Sequence, residues 1–469
     1  MSKIAKLLPV VMGGVKFLLR DDFNDTLAAG SVNGTLATPG GMGTAAQITR
    51  NVIDTNNKIS LGSGVASFAT GAVSGERIYY GLFPFVAGRV FICQFTPADT
   101  SSKDSFGWDT NTIGALIFGG LIDTASRLGV LIGGTAVYVG VYTAVPYTFA
   151  IVNKSPIGSY NFIKGGAFTN WTLLYVGGGQ DDLYPAISVF GATSVFTNNF
   201  IRVPLALWLP TPLCYDTFTR VNGAIGTSEI VGPDSQVTPA RTWTGTTWTI
   251  ATNVAVNTPT LGAEEATGAL VVGTWYSITA TQANYFYTGS AIGDTFRAAA
   301  TTALDANNKV KAITLATLFA SQGDGATADV VVSANLVATT RMQTGIVVNL
   351  DSAVTPANAI IAYIDQDVGA GTTRILLDEC VAGVCTNKIT VINATYVASA
   401  RLVVVRNGTS VRVFYNNLAV GAVTTLTANT NTLHGLFSTS ASNTFNDFLV
   451  MPRGVNGEYN SLDRFTKGG

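Results

Sequence analysis

The sequence predicts an all-β protein made of two tandem antiparallel β-sandwiches, and three observations support this. Short runs rich in Val, Ile, Thr, Phe and Tyr follow one another along the chain, and such residues fit the pleated surface of a strand. Turn signals separate the runs at intervals of roughly 8 to 12 residues, which is typical of a sandwich. An opening pattern and a closing pattern each occur twice, which indicates two similar halves.

The strands are most distinct in the second half of the chain. The Asn407-Gly408 and Asn416-Asn417 pairs between them are typical turn sequences. Residues 301–321 fit a short helix or a strand equally well. The clearest predicted strands are Ala328 to Val337, Thr344 to Leu350, Ala359 to Asp365, Thr373 to Glu379, Lys388 to Asn393, Arg401 to Arg406 and Ser410 to Tyr415.

The two halves open and close alike. Asp21-Asp22-Phe23 opens the first half and Asp216-Thr217-Phe218 opens the second, while residues 198–204 and 443–450 close them with Phe-rich strands. We expect each opening strand to pair with the closing strand of its half, which brings the ends of a domain together. The predicted organisation is an arm at 1–19, a first sandwich at 20–206, a Pro-rich linker at 207–213, a second sandwich at 214–452 and a tail at 453–469.

Charge is scarce in this chain of 469 residues. Charged side chains make up 12%, the formal net charge is -1, and hydrophobic residues make up 47%. These values argue against nucleic-acid binding and against a basic membrane-binding patch, and no apolar run is long enough for a transmembrane helix. A surface so poor in charge is typical of a subunit that neighbours cover. The segment Met1 to Arg20 fits a retained arm on such a neighbour better than a cleaved signal peptide.

The four cysteines are too few and too scattered for a disulfide framework. Cys380 and Cys385 flank four residues that include Gly383, a spacing that suits a hairpin and would place the two sulfurs opposite each other. A disulfide across this hairpin and a pair of free thiols are both compatible with the sequence. Zinc is disfavoured because no second ligand pair accompanies the two cysteines.

The second half resembles the concanavalin A-like lectin/glucanase superfamily, in the laminin-G-like jelly-roll form common in phage tail and virion proteins. Residues that carry the resemblance include Tyr215 to Gly226, Trp243 to Trp248, Ala362 to Asp365 and His434 to Ser438. The first half resembles it more loosely, through its end strands and residues 158–174. The resemblance implies two jelly rolls, a virion or extracellular location, and homo-oligomers or other virion proteins as partners.

Lectin-like folds place aromatic rings against sugars and often bind Ca²⁺ through loop acids, so the resemblance implies candidate sites of both kinds. For each of them, core packing or an ordinary solvated loop acid is the alternative. The carbohydrate-binding candidates are Trp171, Trp243, Trp248, Trp275, Tyr285 and Tyr287, and the metal candidates are Asp324, Asp365 and Asp367.

Catalysis is disfavoured because glycoside hydrolysis needs two carboxyl groups that converge on one bond. The Glu-x-Asp-x-x-Glu strand of the related glucanases does not occur in this sequence. The neighbours Asp378 and Glu379 point to opposite faces of a strand. His434, the only histidine, precedes a run that reads as a buried strand, so we expect it to serve packing.

Three function classes remain after these exclusions. The leading hypothesis is a non-enzymatic structural protein of a bacteriophage virion, a decoration, tail or fibre component that presents a glycan-binding or adhesive face to host surface glycans. The second is a secreted carbohydrate-binding module or glycoside-active enzyme. The third is a cell-surface fibre or adhesin subunit that polymerises through its strand edges.

Overall fold

The computed structural model describes residues 17–38, 48–72, 75–81, 86–101, 103–109, 118–153, 158–177, 184–189, 196–232, 237–323, 327–367 and 372–466. The prediction of an N-terminal arm therefore falls almost entirely on residues outside this description. The chain forms two compact units. Unit 1 comprises residues 1–172, 177–209 and 456–469, and unit 2 comprises residues 173–176 and 210–455.

Unit 1 consists of antiparallel strands in two sheets. An eight-stranded sheet has the order β13-β12-β11-β6-β15-β4-β3 with β1 paired to β15, and a seven-stranded sheet has the order β10-β9-β8-β7-β14-β5-β2. The strands are β1 (Phe17–Asp21), β2 (Asn51–Ile53), β3 (Ile59–Gly62), β4 (Val65–Phe68), β5 (Arg77–Tyr79), β6 (Arg89–Pro97), β7 (Asp104–Asp109), β8 (Phe118–Ile122), β9 (Arg127–Ile132), β10 (Thr135–Val141), β11 (Tyr147–Asn153), β12 (Ser159–Gly165), β13 (Phe168–Gly177), β14 (Tyr184–Val189) and β15 (Phe196–Pro204).

Aromatic rings join the two sheets of unit 1. Phe95 of β6 and Phe149 of β11 belong to the eight-stranded sheet, and both pack on Phe106 of β7 with ring centroids 4.6 Å from it. Gly120 leaves room for these rings, since a Cβ at that position would lie 2.1 Å from the Phe106 ring. The C-terminal segment, a 3-10 turn at Asn460–Leu462 and the helix α1 (Asp463–Thr466), also belongs to unit 1.

Unit 2 contains three antiparallel sheets. A nine-stranded sheet has the order β17-β18-β19-β34-β25-β30-β31-β32 with β16 paired to β34, a six-stranded sheet has the order β24-β33-β26-β27-β28-β29, and a four-stranded sheet has the order β20-β23-β21-β22. The strands are β16 (Cys214–Asp216), β17 (Gly223–Ala224), β18 (Trp248–Ala251), β19 (Val254–Asn257), β20 (Leu261–Glu265), β21 (Trp275–Ala280), β22 (Thr295–Arg297), β23 (Lys309–Ile313), β24 (Phe319–Gly323), β25 (Val330–Val337), β26 (Gln343–Leu350), β27 (Ala359–Asp367), β28 (Thr372–Val381), β29 (Val384–Ala394), β30 (Arg401–Asn407), β31 (Ser410–Tyr415), β32 (Leu418–Thr425), β33 (Leu433–Ser438) and β34 (Thr444–Pro452).

The sandwich core of unit 2 lies between the nine-stranded and six-stranded sheets. Val332, Val404 and Val450 of the first share one buried cluster with Ile346 and Leu377 of the second. The predicted all-β class and antiparallel sandwiches are thereby confirmed. The strands predicted between residues 328 and 415 all form, and residues 301–321 hold both β23 and a 3-10 turn at Leu315–Leu318.

The predicted pairing of opening and closing strands is confirmed in both units. Asp21 of β1 pairs with Ile201 of β15, and Asp216 of β16 pairs with Phe448 of β34. In each unit the buried aspartate accepts a hydrogen bond from the backbone N–H of the phenylalanine two residues later, at 3.1 Å in unit 1 and 2.8 Å in unit 2. Both phenylalanines have positive φ, 50° for Phe23 and 59° for Phe218.

The two aspartates have different partners, but in each unit the partners are an arginine and an aromatic side chain that donates a hydrogen bond. Asp21 binds the guanidinium of Arg50 and the hydroxyl of Tyr80, and Asp216 binds Arg220 and the indole N–H of Trp243. Each carboxylate is fully buried and is satisfied by a cation and an aromatic donor, which is how a buried charge is tolerated. Among the described residues, no helix is long and apolar enough to cross a membrane.

Candidate functional site

The four-stranded sheet, which we call the roof sheet, covers the face of the six-stranded sheet that points away from the sandwich core. Side chains of β27 alternate between the two faces: Ile360 and Ile364 enter the sandwich core, while Ile361 and Tyr363 belong to a second buried cluster. Trp275 of the roof sheet joins that second cluster, with its ring 5.6 Å from Tyr363 and 5.1 Å from Phe437.

Polar contacts also attach the roof sheet to the six-stranded sheet. The hydroxyl of Thr295 donates to Oε1 of Gln343 at 2.7 Å, and Nε2 of Gln343 donates back to the carbonyl oxygen of Thr295 at 2.7 Å. Nη1 of Arg297 lies 2.6 Å from Oδ2 of the fully buried Asp378. The residues that make these contacts lie on strands, so regular secondary structure, and not only loops, holds the roof sheet in place.

A cavity of about 560 Å³ remains between the roof sheet and the six-stranded sheet. The roof contributes aromatic side chains, among them Trp275, Phe286, Tyr287 and Phe296, and the six-stranded sheet contributes Gln343, Tyr363, Asp365, Arg374, Asn387 and Thr390. The volume lies within the range of roughly 300–1,000 Å³ that is usual for small-molecule sites. We refer to this space as the roof cavity.

The aromatic side of the roof cavity is a cluster of half-buried rings. The centroid of Phe296 lies 5.4 Å from that of Phe286 and 5.8 Å from that of Tyr287. The hydroxyl of Tyr287 donates to Oδ2 of Asp294 at 2.6 Å. Burial, followed by that bond to the carboxylate, raises the pKa of Tyr287 above its usual value, so this hydroxyl stays protonated at neutral pH.

The polar side of the roof cavity is organised by ion pairs. Asp365 forms a salt bridge with Arg374 and accepts a hydrogen bond from Nε2 of Gln343 at 2.9 Å. Behind the cavity wall, Asp378 accepts from Tyr363 at 2.9 Å and from Asn387 at 3.0 Å. Burial, followed by the charge of Asp378, raises the pKa of Tyr363 well above its ordinary value.

Only two of the six residues predicted to bind carbohydrate lie together in the roof cavity. Trp275 and Tyr287 line the roof cavity. Tyr285 lies two residues before Tyr287 in sequence, but its hydroxyl donates to the carbonyl oxygen of Ala303 at 2.6 Å and it is not part of the cavity wall.

Burial corrects the prediction for the other three tryptophans. Trp171 is 0% exposed and donates its indole N–H to Asp463, while Trp243 and Trp248 lie in the sandwich core of unit 2. All three rings are buried, although Trp171 also borders a cavity of unit 1 beside Lys164 and Asp463. The indole N–H of Trp243 serves the buried Asp216 instead.

The predicted metal site lies mostly outside the described residues. Asp324 and the side chain of Asp367 lie outside the described residues, and Asp365 is engaged with Arg374 and Gln343. Within the described ranges no group of three or more His, Cys, Asp or Glu side chains could hold a metal ion.

Cys380 and Cys385 lie directly opposite each other on β28 and β29 and form a disulfide. The bond closes the hairpin that ends beside the roof cavity, and Cys385 is part of the cavity wall. The sequence was compatible with a disulfide or with two free thiols, and the structure has the disulfide.

Sequence reasoning missed the residues that make up most of the polar wall. Arg297, Arg341, Gln343, Arg374 and Asn387 come from different strands and loops, and no motif connects them. One signal was available for Arg374, which alternates with Leu376 and the buried Asp378 on one face of β28. A polar residue on a covered sheet face indicates a site.

No known protein family and no curated protein matches this sequence. Among solved structures, the carbohydrate binding module CBM66 from Bacillus subtilis is similar at 9% identity and a TM-score of 0.21, over 29% of this chain and 79% of that one. The Xyloglucan PUL GH43B of Bacteroides ovatus is similar at 9% identity and a TM-score of 0.28, over 92% and 89%. Domains LG4-5 of the mouse laminin alpha1 chain are similar at 9% identity and a TM-score of 0.20, over 82% and 88%. These neighbours have jelly-roll or concanavalin-like folds, and similarities of this size say nothing about what the present chain binds.

Proposed function

We propose that this chain is a non-enzymatic glycan-binding protein and that the roof cavity is its binding site. One observation supports the proposal above all: half-buried rings of Phe286, Tyr287 and Phe296 share one cavity with the amide and guanidinium groups of Gln343, Asn387 and Arg374. A sugar ring has an apolar C–H face and a rim of hydroxyls. Aromatic rings suit the face, and fixed polar groups suit the rim.

The carboxylates near the cavity favour binding over hydrolysis. Among the described residues Asp365 is the only acid in the cavity wall, and it is engaged by Arg374 and Gln343. Asp378 is fully buried, accepts hydrogen bonds from Tyr363 and Asn387, and forms an ion pair with Arg297. A glycosidase requires two carboxyl groups that can exchange protons or attack the sugar, so a binding role fits the arrangement better.

Phe286→Ala tests the site, with Tyr396→Ala as the matched control. Loss of the Phe286 ring should weaken oligosaccharide binding about tenfold in calorimetric titration, since ring contacts are worth about 0.5–1.5 kcal/mol beyond area burial. Tyr396 is a half-buried aromatic residue of unit 2 that does not line the cavity, so its variant should bind like the parent. Equal binding by all three proteins, or release of reducing ends from the sugar, would contradict the proposal.

We further propose that the protein works in a virion or another extracellular assembly, as a homo-oligomer or with other structural proteins. The support is the 12% content of charged residues together with strongly exposed apolar side chains such as Val221 at 90% and Val237 at 82%. Surfaces of this kind are usually covered by neighbours. Light scattering after size exclusion should find a defined oligomer. A monomer would favour a secreted binding module, and an open-ended polymer would favour a fibre or adhesin.

A further inference from the structure

We infer that the ligand of the roof cavity is an acidic glycan, one whose sugars carry carboxylate groups as uronic acids do. The inference rests on the proposed glycan-binding function and adds the chemical class of the sugar. It depends on where the charged groups lie: arginines line the cavity, while most of the carboxylates that pair with them lie behind its wall.

Guanidinium groups dominate the charged lining of the cavity. Arg297, Arg341 and Arg374 all line it, whereas Asp365 is the only carboxylate in the wall among the described residues. Arg297 comes from the roof sheet and Arg374 from the six-stranded sheet, so cationic groups reach the cavity from both sides. A ligand in this space therefore meets more positive than negative charge.

The carboxylates that pair with two of these arginines lie behind the wall. Asp378 is 0% exposed and Asp294 is 6% exposed, and neither lines the cavity. Asp294 accepts from the hydroxyl of Tyr287 at 2.6 Å and from the backbone N–H of Ala291 at 2.7 Å. Its separation from Nη1 of Arg341 is longer, 3.3 Å. Both carboxylates therefore lie behind the wall, while the arginines that pair with them line the cavity.

Not every donor of these arginines can reach a ligand. In the described part of the chain, Nε of Arg341 and Nε of Arg374 are buried and have no hydrogen-bond partner, so the donors left for a ligand are those of the Nη groups. A guanidinium group carries five N–H donors in a planar fork, and one ion pair satisfies only some of them. Arg374 is the more accessible of the two, with 41% of its side chain exposed.

A carboxylate on a sugar is the group that matches these donors. Planar guanidinium and carboxylate groups form paired, charge-assisted hydrogen bonds, which are roughly twice as strong as neutral ones. The half-buried rings of Phe286 and Phe296 require in addition an apolar face of ring size. A uronic acid offers both features on one ring, whereas a neutral hexose lacks the first and a simple organic acid lacks the second.

The test compares oligogalacturonate with its fully methyl-esterified form, which keeps the length and the hydroxyls but loses the charge. Titration of the full chain should show the acid binding about tenfold tighter than the ester, since bonds to charged groups contribute about 1.5–3 kcal/mol each before solvent screening. The preference for the acid should shrink as NaCl rises, because salt screens partly exposed charges.

Arg374→Gln should lower the affinity for the acid much more than the affinity for the ester, and so remove most of the preference for the acid. Arg412→Gln is the matched control, since Arg412 is a half-buried arginine on β31 outside the cavity wall, and the variant has the same net charge. Equal binding of acid and ester by the parent chain would overturn the acidic-glycan inference and leave glycan binding intact. If neither compound binds and neutral oligosaccharides also fail, the proposed function itself is wrong.

Discussion

His434 is the only histidine in the chain, and it lies fully buried on β33. Its Nδ1 accepts a hydrogen bond from the backbone N–H of Asn349 at 3.3 Å. Burial lowers the pKa of His434 from 6.5 to about 4, so the imidazole is neutral in the folded protein. The expectation that this residue serves packing agrees with its position in the six-stranded sheet.

The lowered pKa of His434 predicts a loss of stability in mild acid. Below pH 6.5 the unfolded chain binds a proton that the folded protein does not, so the free energy of unfolding falls as the pH drops toward 4, by about 3 kcal/mol in total. Urea denaturation at several pH values measures this. Between pH 6.5 and 5 the contribution of the histidine should be missing in His434→Gln, whose side chain does not titrate, so this variant should lose less stability than the parent as the pH falls. An unchanged slope in that variant would show that another group causes it.

At the scale of a single element, the β28–β29 hairpin is held by the disulfide between Cys380 and Cys385. The bond closes a short loop, so the entropic stabilisation it gives is small, about 2 kcal/mol. The double variant Cys380→Ser with Cys385→Ser should lose about that amount in urea denaturation and keep its circular dichroism spectrum. Cys93 and Cys214 are buried and lie outside the disulfide, and replacing them with Ala provides the control. A collapse of the whole fold in the double variant would contradict this account of the hairpin.

The roof sheet is the second element whose role can be tested directly. Trp275 is 3% exposed and packs on Tyr363 and Phe437, and it therefore fixes the roof to the six-stranded sheet. Trp275→Ala should cost about 3–5 kcal/mol of local stability. Hydrogen exchange should then accelerate in β20 to β23 while the nine-stranded sheet stays protected, and oligosaccharide binding should fall.

A matched truncation shows whether the effect of Trp275 is local. Trp248 is 1% exposed and packs on Phe445 in the core between the two larger sheets. Trp248→Ala should accelerate exchange in the nine-stranded sheet instead of the roof. If both variants accelerate exchange in the same strands, the roof sheet does not have a local stability of its own.

For the molecule as a whole, the repeated Asp-x-Phe pattern was the most informative feature of the sequence. It predicted that the first and last strands of each half pair, because a β-sandwich commonly brings its ends together, and both pairings are present. Alternation of apolar residues likewise predicted β25 to β31 to within a few residues. Both patterns are local. A local pattern of this kind predicts a strand wherever one face of that strand is buried, whatever the rest of the fold is.

The candidate site could not be predicted in the same way. Trp275 and Tyr287 were found as aromatic residues, but Arg297, Arg341 and Arg374 meet only because the roof sheet folds back over the six-stranded sheet. Nothing in the residues between β20 and β23 predicts which sheet they will cover. The same limit explains Trp171, Trp243 and Trp248, whose burial depends on partners distant in sequence.

The central claim is that sugar binds in the roof cavity, and a crystal structure of the full chain with the oligosaccharide that binds best in solution tests it most directly. The account predicts electron density for a sugar ring against Phe296, with a polar substituent within hydrogen-bond distance of Arg374. Sugar bound on unit 1 or on the outer face of the nine-stranded sheet, with none beside Phe296, would contradict it.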